Sequence, residues 1–190
     1  MNFFRKVTAS KSKSSGKEKT SVKDILVILI TAVILAVVIK TFIVDSRIVP
    51  SSSMYPTIEI GARILISKMS YLGDNTPERG DIVVFTPPEE LRQSSDYIKR
   101  IIGLPGEDLY IADGVVYIDG VSIDEEYIAE KPNYEYGPVA IPEGCYFVMG
   151  DNRNASSDSH AWSYPFITED DIKGKAFVCY WPFSRIGGLE

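Results

Sequence analysis

Ile25-Leu26-Val27-Ile28-Leu29-Ile30-Thr31-Ala32-Val33-Ile34-Leu35-Ala36-Val37-Val38-Ile39 runs for fifteen residues without a charge, and its reading decides how the rest of the chain is organised. If Lys40 snorkels, the apolar stretch continues through Val44 to about 20 residues, roughly 30 Å of helix and enough to cross a bilayer. The run is apolar on every side, unlike the stripe of an amphipathic core helix. A cleaved signal peptide has an apolar region of about 7–15 residues followed by an Ala-x-Ala-like site; here Lys40 is followed by Asp45, Arg47 and Pro50. The expectation is an uncleaved single transmembrane helix over residues 23–44.

Charge divides at the same place. The 190 residues carry 20 Lys+Arg against 26 Asp+Glu, a net of −6, with 45% hydrophobic residues, a globular composition. Residues 1–44 alone sum to +6, which leaves −12 for residues 45–190. So acidic a second part argues against nucleic acid as partner. Arg5, Lys6, Lys11, Lys13, Lys17, Lys19 and Lys23 precede the span, and only Arg47 follows in the next sixteen residues. That asymmetry predicts a cytoplasmic amino terminus in the cell membrane and an external residue 45–190 part. Residues 1–22, including the pattern-free TASKSKSSGKEKT, read as a disordered basic cytoplasmic tail.

Residues 45–190 read as mainly β. Arg63–Lys68, Asp81–Phe85, Tyr97–Ile102, Cys145–Met149 and Ala176–Tyr180 are short β-rich runs between Gly, Pro and Asp. Asp113-Gly114 and Asp119-Gly120 flank Val115–Ile118 as hairpin turns. The expected fold is one antiparallel β domain with a partly open, barrel-like sheet, held near the bilayer by the short segment after Val44.

Metal and cofactor chemistry are poorly supplied. One histidine, His160, and two cysteines 34 positions apart do not make a usual zinc set. Asp151–Ser156 opens like a calcium loop, but Arg153 and Ala155 stand where oxygen ligands belong. Leu104–Glu107 lacks the glycines and Gly-Lys-Ser/Thr ending of a phosphate loop. Nucleophilic catalysis is better supplied. Ser51, Ser52 and Ser53 lie between Pro50 and Pro56, whose fixed φ denies helix and central strand and leaves either a rigid exposed turn or a plain linker. An activating base could come from His160 with Asp158, or from Lys99 inside Tyr97-Ile98-Lys99-Arg100-Ile101-Ile102. At a pKa near 10.4 only about one lysine in 2,500 is neutral at pH 7, so Lys99 needs burial to act. The alternative for Lys99 is a surface ion pair.

These pieces together resemble the bacterial type I signal peptidases, membrane-anchored Ser/Lys proteases that remove signal peptides from exported preproteins. The likeness covers nearly all of residues 20–185. After the span come Pro50-Ser51-Ser52-Ser53-Met54-Tyr55-Pro56-Thr57, Arg79-Gly80-Asp81-Ile82-Val83-Val84-Phe85, Tyr97-Ile98-Lys99-Arg100-Ile101-Ile102-Gly103-Leu104-Pro105-Gly106-Glu107 and Gly150-Asp151-Asn152-Arg153-Asn154-Ala155-Ser156-Ser157-Asp158-Ser159. The resemblance implies Ser53 as nucleophile, Lys99 as general base, and the Ser51 hydroxyl and Ser53 amide as oxyanion donors. It implies Ser156 as the residue orienting the lysine, with Ser157 and Ser159 as neighbours able to do the same. A small-residue substrate pocket is expected at Val49, Pro50, Val84, Tyr97 and Ile98, with Met54 either there or in the core. Preproteins and the bilayer are the implied partners; no cofactor or metal is. A catalytically dead peptide-binding domain and a His160-dependent hydrolase are the competing readings.

Two departures stand out. His160 occupies the place where the family usually has Arg after Asp-Ser, so a brace on Asp158 has to come from Arg153 or from His160 itself. Ser52 replaces a common Gly, which would cost strain if the backbone there has positive φ. The short span from Val115 to Cys145 suggests the compact, Gram-positive-like form. Cys145 and Cys179 are either a disulfide or two core thiols.

Overall fold

The computed structural model describes residues 21–91 and 95–189, so the tail expected over 1–22 lies outside the described residues except for its last two. The chain divides into two compact units at Val37/Val38.

The first unit is helical. Helix α1, Val22–Val38, starts at Ser21, whose N–H is taken by Asp24 at 2.9 Å while its hydroxyl accepts the Lys23 N–H at 3.4 Å, a reciprocal cap for the first turn. Thr31 donates to the Val27 carbonyl at 2.8 Å, so the one hydroxyl of the apolar run satisfies itself within the helix. Ile39–Ile43, a π-helical turn, already falls in the second unit; the apolar helical stretch taken as a whole, Val22–Ile43, is 22 residues long, and none is buried. At about 1.5 Å per residue it is long enough to cross a membrane.

The second unit is two antiparallel sheets. Strands β1 (Val44–Ile48), β2 (Arg63–Ser67), β3 (Ile82–Phe85) and β4 (Tyr97–Gly103) precede β5 (Asp108–Ala112), β6 (Val115–Ile118), β7 (Val121–Ser122) and β8 (Tyr136–Ala140). Then come β9 (Cys145–Met149), β10 (Ile167–Thr168), β11 (Ile172–Trp181) and β12 (Gly187–Gly188). The larger sheet runs β1-β2-β11-β3-β4-β9-β10 with β12 on β11 and curls into a half-barrel; β7-β6-β5-β8 form the smaller. The pairing of β11 slips at three places, between Ile172 and Gly174, Ala176 and Val178, and Cys179 and Trp181. Such bulges bend and twist a strand, which is how a ten-residue strand follows a curled sheet.

The fold class is the one expected, and the two Asp-Gly turns are as read. Asp113 and Asp119 have φ of 51° and 50°, and Gly114 and Gly120 have 72° and 77°, the left-handed pairs that a two-residue hairpin requires. The single barrel-like sheet is instead two sheets, because β5 and β8 pair outside it. β8 contains Gly137-Pro138 and β1 contains Asp45 and Arg47, which hides both from a pattern of alternating apolar residues. Ser52 carries no positive φ; among the described non-glycine residues only Asp113 and Asp119 do.

Strand β4 distributes itself over all three core clusters. Ile98 packs with Val49, Met54, Ile58 and Val84, Ile102 with Leu109 and Phe147 between the sheets, and Ile101 with Val83, Phe85 and Trp162. Apolar contact on every side fixes β4 rigidly and places Lys99 among buried neighbours. Cys145 and Cys179 are buried free thiols in different clusters. Their strands are three places apart in the sheet, about 14 Å, beyond disulfide reach.

Candidate active site

The serine segment is a tight reversal on the core. Tyr55 N–H bonds to the Ser52 carbonyl at 3.0 Å and Ile58 N–H to the Met54 carbonyl at 2.8 Å, while Val49 and Ala62 close its base at 2.9 Å. Met54 is fully buried beneath it with Ile58; it packs in the core and does not line the cleft above. Ser53 is left with its hydroxyl facing Lys99. The Lys99 Nζ to Ser53 Oγ distance is 2.8 Å, Ser51 Oγ lies 3.3 Å from the same oxygen, and Nζ also reaches the Ile98 carbonyl at 3.1 Å. Lys99 is 4% exposed and Ser53 8%. The amine stands 5.4 Å from the centroid of the Tyr97 ring.

Burial dominates the amine's proton affinity. Loss of hydration pushes the Lys99 pKa down to about 8, against the opposing charges of Asp158 and Asp151. Near pH 7 about a tenth of such an amine is neutral and able to accept a proton.

A glycine holds the two halves together. A Cβ on Gly150 would come within 3.0 Å of both the Ser53 carbonyl and the Ser156 side chain. Asp158 Oδ2 accepts the Gly150 N–H at 2.9 Å, and Arg153 Nε donates to the Gly150 carbonyl at 3.0 Å. The two residues weighed as a pair therefore grip opposite sides of Gly150. Arg153 spends its other donors on Glu125, at 2.6 and 2.5 Å, and Asp158 meets His160 instead. Next to this grip, Asn152 N–H donates to the Ser53 carbonyl at 3.0 Å and its side-chain amide to the Ser52 carbonyl at 3.2 Å. Gly150→Ala is expected to lower kcat/KM about 100-fold, since displacing the reacting atoms by about 1 Å costs that much; peptide cleavage kinetics with circular dichroism as a folding control measures it.

Ser156 Oγ is buried beside Gly150 and has no hydrogen-bond partner among the described residues. Ser159 Oγ accepts the Val148 N–H at 2.9 Å, and Ser157 lines the cleft. That cleft, about 360 Å³, is walled by Val49, Pro50, Ser51, Tyr97, Ile98 and Ala155 and opens onto Ser53 and Lys99. Val84 is not in it. It lies in an adjoining depression with Pro50 and Ile98, rimmed by Arg47, Asp96 and Lys173. Sequence reasoning missed Glu125 and the pair Arg100 and Asp151, which tie this frame to the strands; an arginine next to Lys99 inside an apolar strand was the available signal, and the structure buries it fully against Asp151.

A serine hydroxyl against a buried amine, beside an open cleft on a β scaffold, is the equipment of a serine hydrolase. Residues 22–181 match the family described as signal peptidase, peptidase S26. The chain is 48% identical over 184 residues to the probable signal peptidase I-2 of Synechocystis, covering 95% of this chain and 82% of that one. Signal peptidase I of Leptolyngbya laminosa is 44% identical, with 83% and 79% covered, and that of Bacillus licheniformis 35%, with 93% and 97% covered. A crystal structure of signal peptidase I from Enterococcus faecalis, 33% identical, superposes with a TM-score of 0.46 over 54% of this chain and 98% of that one. The chain belongs to the signal peptidase family, peptidase S26, and is a serine endopeptidase.

Proposed function

We propose that the chain is anchored in the cell membrane by residues 23–44, with its amino terminus in the cytoplasm, and cuts signal peptides from exported preproteins outside it through a Ser53/Lys99 dyad. The observation that carries the reading is the 2.8 Å contact between a buried amine and the serine hydroxyl. Neutral Lys99 takes the Ser53 proton as Oγ adds to the scissile carbonyl carbon. The resulting oxyanion is held by the Ser51 hydroxyl and the Ser53 N–H, donors of a kind worth about 2.7–4 kcal/mol each. Collapse passes the proton from Lys99 to the leaving amine and leaves an ester on Ser53. Water, deprotonated by Lys99, then hydrolyses that ester and returns the proton to Ser53.

The remaining parts follow the same plan. Ser156 turns its free hydroxyl to Lys99 in the working cycle, and Asp158 and Arg153 hold the loop through Gly150. Val49, Pro50, Tyr97 and Ile98 receive the small side chain before the cut, and Val84 floors the adjoining depression for a second small side chain. Seven basic residues before the uncharged run that starts at Ile25, against one in residues 45–60, support the orientation.

Incubating the detergent-solubilised full chain with a preprotein, and reading the cut by mass spectrometry, tests this directly. No cleavage would favour a peptide-binding role. The pH profile tests the base. A base must be unprotonated, so kcat/KM should rise about tenfold per unit below the Lys99 pKa of about 8 and level off above it. A flat profile between pH 5 and 9 would count against Lys99.

A further inference from the structure

Asp158 is fully buried, and its two carboxylate oxygens have different partners. Oδ2 accepts from Gly150, whereas Oδ1 lies 2.5 Å from Nδ1 of His160. A carboxylate can only accept, so that contact places a proton on Nδ1 and makes His160 the donor. The imidazole is held in place from one face: it stacks on Tyr134 at 4.1 Å and 10°, with the Tyr136 ring edge-on at 6.5 Å and 89°. Asp158, Arg153 and Glu125 all act on Tyr134 electrostatically.

On the other side, Asp158 and Asp151 are the charges that face Lys99, together with the Tyr97 ring. Both favour the protonated amine. Asp151 is compensated by two N–H groups of Arg100, at 2.9 and 2.8 Å. For Asp158 the side-chain donor among the described residues is His160.

We propose that His160 is a positioning residue: by holding and partly neutralising Asp158 it keeps Gly150 against Ser53 and lets Lys99 give up its proton. The inference rests on the reading of Lys99 as general base. An imidazole is suited to this because it supplies a short donor without a permanent buried charge, and the Tyr134 stack limits its motion.

The experiment compares pH profiles of kcat/KM for a signal-peptide substrate between pH 6 and 10, using the full chain in detergent as wild type, His160→Phe, His160→Arg and Lys99→Ala. Phenylalanine keeps the ring against Tyr134 and removes the donor. Its rising limb should move alkaline by about 0.5–1 unit, so that activity at pH 7 falls about three- to tenfold and returns to the wild-type plateau by pH 10. Arginine, a donor with fixed charge, should bring the limb back to the wild-type position or below. An equal loss at every pH with an unmoved limb would show a merely structural contact and overturn the proposal, as would an arginine limb displaced with that of phenylalanine. Should His160→Phe not fold, the arginine limb decides alone, at or below wild type in support and above it against. If Lys99→Ala keeps its activity the dyad itself fails, an outcome distinct from an unmoved His160→Phe limb over an inactive Lys99→Ala.

Discussion

Ser53→Ala should lower kcat/KM for preprotein cleavage by about 10⁶-fold and Lys99→Ala by about 10³–10⁴-fold, with both chains still folded. In the proposed mechanism, removing the nucleophile deletes the covalent route altogether, whereas removing the base leaves the hydroxyl, its cleft and the proposed oxyanion donors, and general-base assistance is worth about 10²–10⁴-fold. Because the two act as one unit, the double variant should be no slower than Ser53→Ala alone. Single-turnover assays on the detergent-solubilised chain measure all three. A Lys99→Ala chain within tenfold of wild type would remove the dyad, and an inactive His160→Ala beside an active Lys99→Ala would favour His160 as the base.

The same lysine should burden the fold. Its pKa is lowered from 10.5 to about 8, so between those values the unfolded chain binds more protons than the folded one, and stability rises with pH across that window. Below it, the folded state bears the whole cost, about 3 kcal/mol for a shift of that size. Lys99→Met, similar in volume and uncharged, should therefore be inactive yet more stable than wild type at pH 7. The gap should close as the pH approaches 10.5. Stability given up at this buried amine is what the proposed role of Lys99 as a base near neutrality demands.

Which parts were legible in the sequence follows from where their signals lie. Fifteen uncharged residues at 25–39 leave little room for another reading, and the Asp-Gly pairs announce turns because few residues tolerate the backbone they need. Ser53 and Lys99 stood out once the prolines and the apolar strand around them were weighed with the boxes that follow. The frame was not legible. Glu125 sits among Asp124 and Glu126, a run that reads as a solvated acidic loop until Arg153 is placed on it. Asp158 gave no hint whether Arg153 or His160 would meet it, because the choice depends on which side of Gly150 each approaches. The small sheet was hidden for a similar reason: β8 pairs with β5 despite a Gly-Pro step that locally argues for a loop.

Asp151→Ala should destabilise the protein by about 3–5 kcal/mol, the usual penalty for stranding one member of a buried ion pair, or a fall in melting temperature of about 10 °C for a domain of this size. Arg100 and Asp151 are 1% and 0% exposed and meet through two hydrogen bonds. Without the carboxylate, the guanidinium keeps the Gly80 carbonyl at 2.8 Å and the Tyr127 ring at 4.0 Å, neither of which cancels its charge. The double variant Arg100→Met/Asp151→Leu removes both charges and should recover much of that loss, since a buried pair is often no better than apolar residues of similar volume. Activity should not recover with it. Asp151 also accepts the Thr57 hydroxyl, which tethers the reversal carrying Ser53 to the loop carrying Gly150. Thermal melting together with kcat/KM separates the two contributions: restored melting with cleavage still reduced assigns Asp151 to positioning the nucleophile. Restoration of both would make the pair purely structural. Asp151 is also one of the charges holding the proton on Lys99, so in Asp151→Ala, where Arg100 keeps its charge, the rising limb of the residual activity should lie at lower pH than in wild type, a displacement that loosening of Ser53 alone does not produce.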